Sequence, residues 1–401
     1  MRFIFILGCL ISAFHGFSQN QLRDDLGYLA QDELEGRSMG SKGEILAANY
    51  IVKRFREIGL TKGGTGDTTY FEFFTKKTRL HPHDNAFQGP VLSGRNIIGI
   101  LDKGFEETII IGAHYDHLGW GDEGSLHTGE KAIHNGADDN ASGVAALLFI
   151  AESLKEIPLQ TNVIFIAFTG EEKGLLGSAH YVKNHGFDLK TARYMLNMDM
   201  VGRLNEKNQL AVNGVGTSPS FVPVLKKMNQ NIFHLILDST GMGPSDHTSF
   251  YLDSIPVLHF FTGQHEQYHK PEDDVALINF EGLELVSKYI VSIIQELDKE
   301  REIAYVKTRD PEQKRFSFKV TLGVIPDYLF EGEGMKIAGV KADKPAEKAG
   351  LQKDDIILKM GDTKIHSIRE YMEVLKTLDK GDEVEIEVLR GKNTSSFLIV
   401  F

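Results

Sequence analysis

Short apolar runs of strand length alternate along this chain with segments of helical period, and this constrains the fold more than any other feature. Thr108–Gly112, Asn162–Phe168, Tyr194–Met198 and Ile255–Phe261 are apolar nearly throughout, as strands covered on both faces are. Ala141–Glu156 and Leu283–Leu297 carry apolar residues at helical spacing. Glu44–Ile58 places Ile45, Ala48, Ile51, Val52 and Phe55 on one face, and Gly59 follows as a natural helix stop. The expectation is an α/β domain: a largely parallel mixed sheet with helices on both faces.

At 401 residues, 41% of them hydrophobic, the chain has room for two domains and ample apolar surface for their cores. Met1 and Arg2 precede an apolar run, Phe3–Phe17, too short to span a bilayer, which reads as a signal peptide over residues 1–18. The expected location is secreted or periplasmic, with no transmembrane segment in the mature chain. The only cysteine, Cys9, falls inside this segment in a faint lipoprotein-like box, but the apolar run continues past it, so lipid anchoring is the weaker reading. A mature chain without Cys9 has no thiol, and metal ligands must then be His, Asp or Glu. The net charge is −12, and removing residues 1–18 with their single basic residue takes it to −13. That excludes nucleic acid as the expected partner, because phosphate binding needs a basic surface.

Residues 19–298 read as the α/β domain. Residues 299–315 turn densely charged around Pro311 and read as a linker. Residues 316–401 change character: short β-like runs at Phe316–Val320, Ile356–Met360, Val384–Leu389 and Ser396–Phe401 surround brief helical patterns at Pro345–Ala349 and Ile368–Leu378.

Metal-capable side chains cluster where the apolar runs of the first domain end. His114-Tyr115-Asp116-His117 follows one run, Glu171-Glu172 a second and Asp199 a third; His269 through Asp273 lies downstream of the fourth, and Asp138-Asp139 precedes a helix. In open α/β sheets the functional crevice lies at the carboxyl ends of the strands, so these loops can converge. Taken singly, each cluster is an ordinary solvated loop. Together they supply what metal-assisted hydrolysis needs: a carboxylate to bridge two ions, further ligands for each, and a free carboxylate to take a proton from a bridging water.

Gly136 to Gly143 (GADDNASG), together with Leu29–Arg37 (LAQDELEGR), resembles the zinc aminopeptidase family of bacterial leucyl aminopeptidase and aminopeptidase Y, and more distantly glutamate carboxypeptidase. The resemblance implies a zinc exopeptidase-like fold and two Zn2+ ions per chain. It implies His114 and Asp199 as ligands of one ion, Glu172 and His269 of the other, Asp139 as the bridge and Glu171 as general base. Asp116 would support His114, and Asp273 would act similarly near His269. Met242 stands where leucyl aminopeptidases place an oxyanion-stabilising tyrosine before Ser245-Asp246-His247, whereas Tyr268, directly before His269, matches the carboxypeptidase arrangement. Tyr268 is therefore the expected oxyanion donor, with simple aromatic packing as the competing reading. His247 reads as structural rather than as a further ligand. The Gly-rich stretch with Trp120, His127 and His134 is either a lining of the substrate entrance or an ordinary loop.

Residues 316–401 resemble a bacterial protease-associated PDZ domain, through Thr321–Ile325, Pro345–Leu351, Asp354–Ile357 and Gly381-Asp382. The resemblance implies capture of a C-terminal peptide, with Leu322, Gly323, Val324 and Ile325 as the carboxylate-binding loop; a groove filled by the chain itself is the alternative. The function implied is removal of N-terminal amino acids from peptides. Carboxypeptidase or glutaminyl cyclase chemistry, or a non-catalytic peptide-binding role, are the alternatives.

Overall fold

The computed structural model describes residues 20–77, 91–121, 124–184, 189–308, 319–327, 329–341 and 344–401. The expected signal peptide and much of the expected linker lie outside these residues. The chain forms two compact units. One comprises Met1–Ser125, Lys131–Thr262 and His269–Asp310; the other comprises Leu126–Glu130, Gly263–Tyr268 and Pro311–Phe401.

Among the described residues the first unit is built on a nine-stranded mixed sheet. Its strands are β1 (Thr61–Lys62), β2 (Phe71–Lys77), β3 (Val91–Leu101), β4 (Thr108–His114), β5 (Asn162–Phe168), β6 (Ala192–Met198), β7 (Gln209–Asn213), β8 (His234–Asp238) and β9 (Val257–Phe261). They lie in the order β1-β3-β5-β4-β6-β9-β7-β8, with β2 also on β3. The centre, β5-β4-β6-β9, is parallel, as are β7 and β8. β1, β2 and β5 run antiparallel to β3, and β7 runs antiparallel to β9.

Both faces of the central strands are buried, and the alternation of side chains assigns them to two cores. Ile109, Ile111 and Ala113 of β4 and Val163, Phe165 and Ala167 of β5 enter one core, together with residues of the helices Lys42–Ile58, Gly143–Lys155 and Phe280–Leu297. Ile110, Ile164, Ile166 and Phe168 enter the other, with Tyr181 of Leu176–Asn184 and Phe250 and Tyr251 of His247–Leu252. A strand wrapped this way has no reason to alternate apolar with polar residues, which is why the runs read as continuous. Helix Lys42–Ile58 starts where Ser41 accepts the Glu44 amide and stops at Gly59, whose φ of 93° places it in the left-handed region a helix end uses.

Among the described residues the second unit is a six-stranded antiparallel sheet of β10 (Val324–Pro326), β11 (Met335–Val340), β12 (Ile356–Met360), β13 (Thr363–Lys364), β14 (Glu383–Arg390) and β15 (Asn393–Val400). Its helices are Pro345–Ala349 and Ile368–Thr377. They close a core that includes Leu322, Met335, Ile337, Ile357, Tyr371 and Ile386. Of the expected run Phe316–Val320, residues 316–318 lie outside the described residues, and Lys319 and Val320 are not in a strand. The anticipated carboxylate-binding loop divides. Leu322 and Gly323 precede the strand, and their carbonyls accept the Ala346 and Lys341 amides at 2.9 and 2.8 Å, while Val324 and Ile325 belong to β10. Among the described residues β10 pairs only with β11.

Candidate metal centre

His114 ends β4, Glu171 and Glu172 follow β5, Asp199 follows β6, and His269 lies beyond β9. These four strands are parallel neighbours, so their carboxyl ends open on one side of the sheet. Asp139 enters from the turn Ala137–Ser142, ahead of helix Gly143–Lys155.

The two carboxylate oxygens of Asp139 face different partners. Oδ1 lies 3.4 Å from His114 Nε2, which is 3.3 Å from Asp199 Oδ1. Oδ2 lies 3.2 Å from His269 Nε2, which is 3.4 Å from Glu172 Oε2. With zinc bonds to N and O of about 2.0–2.2 Å, a tetrahedral site has ligand-to-ligand edges of about 3.3–3.5 Å. The four separations match those edges, so the residues fit zinc by length as well as by donor type. Glu171 Oε2 is farther from His114 Nε2, at 4.0 Å, although Glu171 also stands with His114 and Asp199 as a group able to hold a metal ion. His117 also reaches Asp139 and Glu172, but at 3.9 and 2.9 Å, neither of which is such an edge.

The surrounding hydrogen bonds orient these side chains. Asp273 accepts the amides of Asp138 and Asp139 at 3.0 Å each. The sequence places Asp273 near His269 in a supporting part; these bonds show that it also holds the backbone that presents Asp139. Asn140 locks the same turn to the end of β6, donating to the Met198 carbonyl at 3.0 Å and accepting the Gly143 and Met200 amides. Asp116 supports His114 through its backbone: the carbonyl lies 3.1 Å from His114 Nδ1, whereas the carboxylate is 3.8 Å away and instead accepts the Glu171 amide at 3.1 Å. His269, with a φ of 56°, donates Nδ1–H to the Gly124 carbonyl at 2.8 Å, which leaves Nε2 to the centre. The neighbouring Ser125 hydroxyl meets His134 Nε2 at 2.8 Å, so His134 helps to shape the Gly-rich loop, while Trp120 on that loop is 42% exposed.

Arg37 is the residue that sequence reasoning quoted without a role. Wholly buried, it donates to the carbonyls of Leu29, Tyr115, Asn135 and Gly136, so one guanidinium ties together the two segments that carry His114 and Asp139. A buried arginine within an "EGR" motif is the only trace of this in the sequence. Burial pulls its pKa down to about 10, opposed by Asp139, Asp116, Asp273 and Glu172.

Burial pushes the Glu171 carboxyl well above the ordinary carboxylate range; His114 opposes this, and Glu172, Asp199 and Asp246 add to it. Tyr268 directly precedes His269 in a segment, 263–268, that belongs to the second unit, and its amide donates to the His265 carbonyl at 3.1 Å.

A buried polar layer lies next to Asp199. Asn197 donates to Ser245 Oγ at 2.8 Å and lies 3.2 Å from His259 Nδ1, and His247 stacks on His259 at 4.5 Å. His247 is thus packed against another imidazole, in keeping with a structural role. Burial lowers the His259 pKa from 6.5 to about 4, with Asp199 opposing and His114 reinforcing the shift. Below pH 6.5 the unfolded chain binds a proton at His259 that the folded chain refuses until about pH 4, so stability is lost as pH falls through that window. The loss is on the order of 3 kcal/mol. Melts of EDTA-treated protein from pH 7.5 to 4.5 are expected to fall less steeply for His259→Asn than for the wild type; parallel curves would refute this.

Comparison with known proteins agrees with the geometry. Residues 96–294 match the profile of peptidase family M28, and residues 302–400 match the profile of the PDZ domain. Aminopeptidase YwaD of Bacillus subtilis is 32% identical over 222 residues, covering 52% of this chain and 46% of that protein. The alkaline phosphatase isozyme conversion protein of Escherichia coli is 28% identical over 167 residues, covering 41% and 46% respectively. The chain thus spans about half the length of these curated relatives. Among solved structures, the zinc aminopeptidase BSAP from Bacillus subtilis superposes with a TM-score of 0.54 at 21% identity, covering 71% of this chain and 98% of that one. Glutaminyl cyclase of Porphyromonas gingivalis superposes with a TM-score of 0.56 at 18% identity, covering 70% and 98%. Sequence profile, zinc exopeptidase-like fold and strand-end donors agree: this chain carries a peptidase family M28 domain followed by a PDZ domain.

Proposed function

We propose that the chain is a secreted exopeptidase that binds two zinc ions and removes N-terminal amino acids from peptides, with Glu171 as general base. The observation that carries this reading is the division of Asp139, whose Oδ1 faces His114 and Oδ2 faces His269, each at the length of a zinc-site edge. His114, Asp199 and Asp139 Oδ1 would hold one ion, and Glu172, His269 and Asp139 Oδ2 the other. When bound, the metals supply Lewis acidity and lower the pKa of water.

The chain's own residues do the rest. Glu171, close to the donors but spaced apart from them, accepts a proton and can return it to the leaving amine. The Gly124 carbonyl and the Asp116 carbonyl keep the protons of His269 and His114 on Nδ1, so both present a lone pair at Nε2. Tyr268 is our candidate donor to the developing oxyanion. The PDZ domain would take an extended peptide along β10, with its C-terminal carboxylate near Leu322 and Gly323. Residues 1–18 would be removed on export, which N-terminal sequencing of the exported protein tests by finding Gln19 first.

The superposition on a glutaminyl cyclase favours a second reading, cyclisation of N-terminal glutamine. Peptides with free, acetylated and glutaminyl N-termini, assayed beside a zinc count, decide between them. We expect release of the first residue from free peptides only, abolished by chelation, with close to two zinc ions per chain. Turnover of acetylated peptides, or ring closure without peptide cleavage at one zinc per chain, would overturn the proposal.

A further inference from the structure

His117 lies three residues beyond His114 on the loop after β4, fully buried, and the ligand assignment leaves it without a role. Its Nδ1 is 2.9 Å from Glu172 Oε1, a hydrogen-bond length. The other oxygen of the same carboxylate, Oε2, is the one that lies 3.4 Å from His269 Nε2. The two oxygens of Glu172 are therefore divided between an imidazole donor and the ligand set. His117 Nδ1 is 3.9 Å from Asp139 Oδ2, too far for a hydrogen bond and longer than a zinc-site edge, so the ring is not placed as a ligand.

The loop is built to admit this ring. Gly136, at a φ of 55°, lies against it: a Cβ there would sit 2.5 Å from His117 Cδ2 and 2.1 Å from the Asp139 carbonyl oxygen. Only glycine allows that approach. His269 meets the ring edge-on, with centroids 5.8 Å apart. Among the described residues His117 Nε2 is buried with no hydrogen-bond partner, and the ring's hydrogen bond is at Nδ1.

We propose that His117 is a positioning residue that donates its Nδ1 proton to Glu172 Oε1 and thereby confines Glu172 to coordination through Oε2. This rests on the two-zinc reading above and adds to it the control of how Glu172 binds. A bidentate Glu172 would spend a coordination position on the ion it shares with His269. A monodentate one leaves that position for substrate or water.

The test uses an isosteric pair. In His117→Asn the amide nitrogen replaces Nδ1, and in His117→Gln it replaces Nε2. Metal-free wild type, H117N, H117Q and H117L are titrated with zinc against a chromogenic chelator, and with Co2+ to read coordination number from the visible absorption. The wild type should bind two ions. H117N should keep both affinities within about threefold, whereas H117Q and H117L should weaken one site by about 10–100-fold and leave the other unchanged. Co2+ in H117Q should show the weaker absorption of a higher coordination number. Should H117L not fold, as read by far-UV circular dichroism, the Asn and Gln variants decide.

H117Q with wild-type affinity at both sites would overturn the proposal. So would H117N as damaged as H117Q, which would make the imidazole itself a ligand. A wild type that binds one ion would instead overturn the two-zinc reading, and this inference with it.

Discussion

Replacing Glu171 with Gln is expected to lower kcat/KM for peptides with a free N-terminus by about 10²–10⁴-fold while leaving the zinc content unchanged. Gln keeps the size of Glu and loses only the capacity to take a proton. Glu171 Oε2 lies 4.0 Å from His114 Nε2, against 3.3–3.4 Å for the oxygens assigned as ligands, so the metals should survive the change. The Glu171 amide is held by Asp116 at 3.1 Å, and its carbonyl accepts the Gly174 and Leu175 amides, so the backbone has no reason to move. Zinc measured by mass spectrometry beside steady-state kinetics separates the roles. A variant that loses metal and activity together would make Glu171 a ligand, and one that keeps full activity would end its assignment as base.

Arg37→Met should be the most damaging substitution remote from the metals. It leaves the carbonyls of Leu29, Tyr115, Asn135 and Gly136 short of their shared donor and removes the buried cation from among Asp116, Asp139, Asp273 and Glu172. Breaking a buried charged network of this kind costs about 3–5 kcal/mol. For a domain of this size that corresponds to a fall in Tm of about 10 °C. Zinc affinity should fall as well, because Tyr115 and Gly136 flank the segments that carry His114 and Asp139. Arg37→Lys should recover little, since one ammonium cannot span acceptors arranged for a planar fork. Calorimetry with and without zinc checks both statements, and a Tm within about 2 °C of the wild type would refute them.

How much of this was legible beforehand varied with the kind of segment. The central strands were readable because burial on both faces removes polar residues, and the run Asn162–Phe168 coincides with β5. β1, β2, β3, β7 and β8 are not among the strands read from the sequence: β2 ends in exposed residues and β8 is half-buried, so neither carries a continuous apolar signal, whereas β3 and β7 are largely buried and were missed all the same. The expected parallel character holds at the centre of the sheet, and the antiparallel β1–β3 region lay outside it because strand direction is a property of connections rather than of composition.

Sequence by itself determined which side chains can meet at the centre. His114, Glu171, Glu172 and Asp199 stand where apolar runs end, and a parallel arrangement brings such ends to one side. Tertiary structure decided which atom does what: that Asp116 serves His114 through its carbonyl, that Asp273 grips the amides before Asp139, that His117 divides the oxygens of Glu172 with His269, and that Arg37 joins the segments. The reason is physical. Periodicity reports which face of an element is buried, whereas hydrogen bonds between loops far apart in the chain depend on backbone paths that no local pattern encodes.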